Sequence, residues 1–325
     1  MLQALPGLAR ELGLGNVLVK DESQRFGLKA FKALGASWAV HQFLERDPRR
    51  PVTLASATDG NHGRAVAWAA RQAGQRAVIY VPRHTVAARI EAIQREGAEV
   101  IVIHGTYDDA VSRADADSRA NGWQVISDTA YPGYMEIPQW VIEGYGTMFA
   151  EMESQNPDIV VVQAGVGGLA AAVVRHFFRE GRQRHPAIVC VQPDEADGLL
   201  ESATSADGEA HATHGSQRTM MAGLACGMPS LVAWPVLRRG VTLFISVADS
   251  FAADAMRRFY FPVAGDPRVI SGEAGAAGLA GLMALCREPA FEEAKSRLAI
   301  SKDSSVLLIN SEGDTDPENF QKVIA

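Results

Sequence analysis

The chain has 325 residues, 47% hydrophobic and 21% charged, too apolar for disorder and too evenly charged for a fibre. Its 31 Lys and Arg against 38 Asp and Glu give a net charge of −7 without a basic run, which disfavours nucleic acid and anionic membranes as partners. No apolar stretch reaches the ~18 residues of a membrane helix. Arg10 and Glu11 interrupt what an export signal would keep apolar, and Cys190, Cys226 and Cys286 stand apart without a CxxC pair, so a cytoplasmic protein of roughly two domains is expected.

Short β-branched runs begin near Val52, Ala77, Ala98 and Gln124, separated by helical stretches that start at Gly63, Thr85 and Thr106 and close on a glycine. Asp108 and Asp109 read as the N-terminal cap of the third stretch. The runs lack apolar–polar alternation, as strands buried on both faces do, and their spacing predicts a four-stranded parallel sheet. After a helix around Pro138–Glu153, a second series of strands follows at 158–163, 187–192, 241–247 and 304–310, with Cys190 as a core residue. Between them, residues 194–230 are polar, glycine-rich and aperiodic, which predicts a functional or mobile loop. His211 and His214 lie there without further clustered ligands, so no metal site is expected. The fold class is therefore α/β, with two three-layer parallel-sheet domains. Residues 1–36 with 151–325 form the larger domain and 37–150 the smaller, and a ligand cleft lies beyond the carboxyl ends of the strands.

Three segments fall where such a cleft would be lined. Gly165, Val166, Gly167, Gly168 and Leu169 join a strand to a helix, so backbone N–H groups can converge on a phosphate at the helix start. Gly165, Gly167 and Ala170 also satisfy the dinucleotide fingerprint, so this loop alone does not name its ligand. Ser56, Ala57, Thr58, Asp59, Gly60 and Asn61 form a loop rich in amide donors, suited to a carboxylate, with Asp59 as a proton acceptor. In the third, Phe31, Leu34 and Trp38 mark the buried face of a helix starting near Ala30. A lysine in its first turn opposes the helix dipole, which lowers its pKa and suits covalent attachment to an aldehyde. Spacing leaves Lys29 and Lys32 as alternatives.

Together the three segments resemble the type II fold of pyridoxal-phosphate enzymes, the tryptophan synthase β and threonine dehydratase group. The stretches KDES, RFGLKAFK, SATDGNHGRAVAW, SDTAYPGY, MAGLACG, SGEAGAAGL and NSEGDTDP more narrowly resemble diaminopropionate ammonia-lyase, in order from Val19 to Pro317. The resemblance implies pyridoxal 5′-phosphate as cofactor, a homodimer, and α,β-elimination of D- and L-2,3-diaminopropionate to pyruvate and two ammonia. It also implies that Lys32 holds the cofactor, Gly165 through Leu169 its phosphate, Asn61 its ring hydroxyl and Ser311 its ring nitrogen, with Glu273 nearby. It makes Asp59 the second catalytic residue, serving the D isomer as Lys32 serves L, and Asp128 the acid that holds the substrate amine. Relatives carry an extended strand before the stretch that begins at Ala4, so the expectation is that either the start is placed late or the large sheet lacks an edge strand. The alternatives are a serine/threonine dehydratase or another β-eliminating enzyme of the group, a dinucleotide-dependent oxidoreductase built on the 165–170 loop, and a non-catalytic binding protein.

Overall fold

The computed structural model describes the chain apart from residues 47–50, 59, 153–154 and 183, and the side chain of Asp108 is likewise outside the described set. In chain order, β1 (Leu2–Ala4), α1 (Pro6–Leu12) and β2 (Asn16–Asp21) precede α2 (Lys32–Arg46). The next unit is β3 (Thr53–Ala57), α3 (Asn61–Gln72), β4 (Arg76–Pro82), α4 (Ala87–Arg95), β5 (Glu99–Ile103), α5 (Tyr107–Asn121) and β6 (Gln124–Val125). Then come α6 (Glu136–Ala150), β7 (Ile159–Gln163), α7 (Gly168–Phe177), β8 (Ala187–Pro193), α8 (Gly198–Thr204), α9 (Trp234–Gly240), β9 (Leu243–Val247) and α10 (Asp249–Tyr260). The last elements are α11 (Glu273–Arg287), α12 (Glu292–Arg297), β10 (Ser305–Asn310) and α13 (Pro317–Ile324).

Among the described residues the strands form two sheets, β1-β2-β10-β7-β8-β9 and β5-β4-β3-β6. All pairings are parallel except β1 on β2. Both series of strands read from the sequence are therefore present. Two strands were missed. β2 enters the sheet beside β10, and β1 covers its outer side antiparallel, so the large sheet does not lack an edge strand. The core explains the uninterrupted apolar runs. Val160 and Val162 on β7 face one apolar cluster, while Ile159 and Val161 face another that includes Leu279 and Leu282 of α11.

Helices α2 and α6 cross closely, and the crossing depends on glycine. A Cβ at Gly35 would lie 2.7 Å from the carbonyl oxygen of Val141, and one at Gly144 would lie 2.5 Å from that of Leu34. The contact brings Tyr145 against Phe31, with ring centroids 4.6 Å apart. Trp38 departs from the expected face: it is 39% exposed, at the rim beside Glu143, whereas Phe31 and Leu34 are buried. The 194–230 stretch contains α8 and a short 3₁₀ turn at Ala222–Leu224, so it is only partly irregular. At α5 the N-cap is Thr106, whose hydroxyl accepts from Asp109 N–H at 3.2 Å while the Asp109 carboxylate accepts from Thr106 N–H at 2.7 Å. Asp109 thus completes the cap from the third helical position, a role that spacing alone does not separate from that of the cap itself.

Candidate active site

The carboxyl ends of β3, β6, β7 and β10 open on one cleft between the two sheets. The segment before α2 is tied to the one after β10. Phe31 N–H donates to the Ser311 carbonyl at 3.0 Å, and Gly313 N–H donates to that of Lys29 at 2.9 Å. These bonds fix which lysine faces inward. Lys29, at φ +58°, turns away and pairs with Asp314 at 2.8 Å, while Lys32 lines the cleft.

Lys32 Nζ lies 2.5 Å from Oδ2 of Asp128, just past β6. Burial opposes the charge on both groups, but their mutual attraction outweighs it, raising the pKa of Lys32 and lowering that of Asp128. The helix-start argument for a lowered lysine pKa is therefore overturned: a carboxylate in contact outweighs a dipole end. His62 sits behind the pair. Its Nε2 is 3.0 Å from the Ile126 carbonyl, which can only accept, so Nε2 carries the proton. The bare Nδ1 is buried, without a hydrogen-bond partner, 3.7 Å from Oδ2 of Asp128. Burial lowers the His62 pKa and keeps the ring neutral.

At the other end of the cleft, Gly165 through Leu169 all line the wall. Gly167, at φ +101°, ends the turn, and α7 starts with no side-chain cap and no acidic residue in its first turn. Its N–H groups thus face the cleft at the positive end of the helix. A Cβ at Gly165 would fall 3.1 Å from Cys226 Sγ and 3.2 Å from Leu224 Cα, so any larger residue would crowd this cradle.

Between these ends Ser311 is buried, and its Oγ accepts from Gln163 Nε2 at 2.8 Å. Beside it Glu312 accepts from Asn61 Nδ2 of the small domain, from Ala274 N–H at 3.1 Å and from Thr315 Oγ1 at 3.2 Å. Ala57, Thr58, Gly60 and Asn61 line the cleft, and the Thr58 hydroxyl shapes their loop by accepting from Gly60 N–H at 2.9 Å and Gly63 N–H at 3.1 Å. Asp59 lies outside the described residues.

Two expected site residues do not line the cleft. Ser56 is a buried residue of β3, its side chain pointing away from the cleft along the pleat. Glu273 is buried behind the wall, and its carboxylate accepts from Asn319. Burial and the neighbouring Glu312 raise its pKa. Sequence reasoning missed His62, Gln163, Tyr145, Arg89 and Glu312. The signal for Glu312 was its place directly after Ser311 at the end of an apolar strand, and that for His62 its place inside the DGNHG loop.

A lysine amine, an uncapped glycine cradle and a buried serine lining one cleft fit pyridoxal phosphate, through its aldehyde, its phosphate and its ring nitrogen respectively. Fold and site define a type II pyridoxal-phosphate enzyme. Residues 1–309 match the family described as pyridoxal-phosphate dependent enzyme. Diaminopropionate ammonia-lyase of Escherichia coli (strain K12) is 41% identical over 345 residues, covering 99% of this chain and 86% of that one. A crystal structure of the E. coli enzyme with an aminoacrylate–PLP azomethine reaction intermediate matches with a TM-score of 0.92 at 42% identity, covering 100% of this chain and 86% of that one. Another, with D-serine, matches with a TM-score of 0.91 at 40% identity, covering 100% and 87%. The chain belongs to the pyridoxal-phosphate dependent enzymes and, within them, to the diaminopropionate ammonia-lyase family.

Proposed function

We propose that this chain eliminates ammonia from 2,3-diaminopropionate, of either configuration, to give pyruvate and a second ammonia. The observation that carries the reading is the contact between Lys32 and Asp128 in the cleft that the glycine cradle also lines. Pyridoxal phosphate, when bound, supplies the electron sink that makes the substrate's Cα–H acidic. With Lys32 engaged by the cofactor, Asp128 is left as a carboxylate facing the cleft, where a cationic amine replaces the lysine ammonium. Asp128 holds the β-amino group in its protonated, departing form, and His62 behind it limits where its charge can turn. The Lys32 amine takes the Cα proton of the L isomer from one face, and Asp59 takes that of the D isomer from the other. Ser311 and Asn61 orient the ring, while the amides of Gly165 through Leu169 hold the phosphate.

In this reading residues 1–36 and 151–325 form the cofactor-binding domain and 37–150 the smaller one, supported by the fall of β3, β4, β5 and β6 within the second range. Family resemblance supports a homodimer. A cytoplasmic location is supported by the composition and by the absence, among the described residues, of a helix long and apolar enough to cross a membrane.

Pyruvate release from D- and L-2,3-diaminopropionate, with serine and threonine as controls, tests the reaction. Asp59→Asn is expected to lose D turnover and retain much of the L activity, and equal losses on both isomers would overturn the division of labour. Release from threonine in preference to diaminopropionate would replace the substrate.

A further inference from the structure

Glu312 is a buried carboxylate that meets three donors. Its Oε1 accepts from Ala274 N–H at 3.1 Å, and its Oε2 accepts from Thr315 Oγ1 at 3.2 Å and from Nδ2 of Asn61. The first contact is a helix cap, because Ala274 is the second residue of α11 and an anion suits that positive end. Glycine makes room for it: a Cβ at Gly272 would lie 2.9 Å from Oε1. A cap does not need a second oxygen aimed across the cleft. Asn61 begins α3, after β3 of the four-stranded sheet, whereas Glu312 follows β10 of the six-stranded one, so the Asn61 bond joins the two walls.

This bond has a direction. An ionised carboxylate only accepts, so Asn61 must present its NH2 to Glu312 and not its Oδ1. The amide nitrogen carries two N–H groups, of which Glu312 takes one. Asn61 lines the cleft, where the other can meet a ligand. The acceptor is itself held by its backbone, since Gly272 N–H donates to the Glu312 carbonyl at 3.1 Å and the next residue, Gly313, donates to that of Lys29 at 2.9 Å.

We propose that Glu312 is a positioning residue, which holds the Asn61 amide so that its second N–H donates to the ring hydroxyl oxygen of pyridoxal phosphate. This rests on the ring contact given to Asn61 above. A donor at that oxygen favours its anionic form. Glutamine would not do the same work. In Glu312→Gln the Ala274 N–H, which can only donate, keeps the side-chain oxygen, and the new NH2 faces Asn61. Two NH2 groups cannot pair, so the Asn61 amide turns over and offers Oδ1 in place of its donor.

The test compares the holoenzymes of wild type, Glu312→Gln, Glu312→Ala, Asn61→Ala and the Asn61→Ala/Glu312→Gln double variant by cofactor absorption at one pH. Each apoenzyme is also titrated with pyridoxal phosphate for affinity. Glu312→Gln is expected to lower the ratio of the visible band, that of the anionic ring oxygen, to the near-ultraviolet band of the neutral one by about tenfold, the size of one charge-assisted hydrogen bond. Glu312→Ala, which frees the amide without reversing it, should shift the ratio in the same direction. Asn61→Ala should do so too, and the double variant should match Asn61→Ala, because Glu312 then has nothing to position. A ratio unchanged in both Glu312 variants, with cofactor binding merely weakened, is the result of capping alone and would overturn the inference, as would additive shifts in the double variant. A wild-type ratio in Asn61→Ala would overturn the ring contact and this inference with it. An enzyme that releases no pyruvate from diaminopropionate, while the ratios behave as expected, would sink the assigned reaction and leave the role of Glu312 standing.

Discussion

Gln163, the last residue of β7, donates through Nε2 to Oγ of Ser311 at 2.8 Å and to the Ile309 carbonyl at 2.9 Å. A carbonyl only accepts, so the orientation of this amide is fixed, and the serine oxygen must act as acceptor toward it. The single Ser311 proton is left to point elsewhere, into the cleft. Gln163 keeps this geometry although its own Oε1 is buried without a partner, an arrangement that costs about 1–3 kcal/mol.

Replacing Gln163 with Glu reverses the polarity, because a carboxylate accepts the Ser311 proton and leaves a lone pair facing the ring nitrogen. A shift in the visible band of the holoenzyme and in the ¹⁵N resonance of labelled cofactor is expected. Gln163→Met, which fills the space without donating, should weaken cofactor binding without the resonance shift. Spectra identical to wild type in both variants would contradict the polarity argument.

Asp128→Asn removes the anion beside Lys32 while keeping its shape. Turnover of both isomers is expected to fall by about 10²- to 10⁴-fold, the range for loss of a positioned acid or base. The pKa of free Lys32 should drop, because the Asp128 charge that offsets burial is gone. Apoenzyme should therefore react with the cofactor aldehyde at lower pH in the variant than in wild type. Rapid mixing across a pH series checks this, and an unmoved profile would show that the contact does not govern the lysine.

Acid stability depends on a second cluster, at the end of β2. Arg25 donates to Glu151 at 2.8 Å and to Glu22 at 2.6 Å, and Lys20 contacts Glu151. The hydrogen bond from Arg25 holds the Glu151 carboxyl down at about 2, against an ordinary value of 4.5. A depressed folded-state pKa stabilises fully above the unfolded value and loses its effect as pH falls through the folded one. Wild type should therefore lose stability between about pH 4.5 and 2, more steeply than Glu151→Gln in the same window. Urea midpoints at stepped pH check the slopes.

Gly144→Ala places a methyl group 2.5 Å from the Leu34 carbonyl, backbone that cannot yield without moving α2. A loss of about 1–3 kcal/mol is expected, together with a lower cofactor affinity, because Lys32 starts that helix. Gly146→Ala on the same helix meets nothing within 4 Å and serves as the control.

Much of the fold was legible because β3, β4, β7, β8 and β10 are apolar on both faces, and such runs announce themselves. β2 was not, since Lys20 and Asp21 interrupt it. Lys20 is buried with Glu22 beside it and Glu151 reaching it from 131 residues away. The same limit hid Glu312, whose importance comes from Asn61, 251 positions earlier. The glycines of 165–168 between a strand and a helix marked one wall of the cleft, and family motifs singled out Lys32 and Asp128, which line the same cleft. Ser56 and Glu273 do not line the cleft, because neighbouring residues on a strand or helix point in different directions, and motif membership does not say which way.

The strand nearest the carboxyl terminus, β10, lies inside its sheet between β2 and β7, and its end delivers Ser311 and Glu312 to the cleft. A nascent polypeptide that has emerged only to residue 300 has every other strand but a gap where they should meet. The vitamin-binding half consequently closes only once residues 305–310 have been made, so a ribosome stalled before them would display a finished small lobe beside an unsealed, aggregation-prone large one.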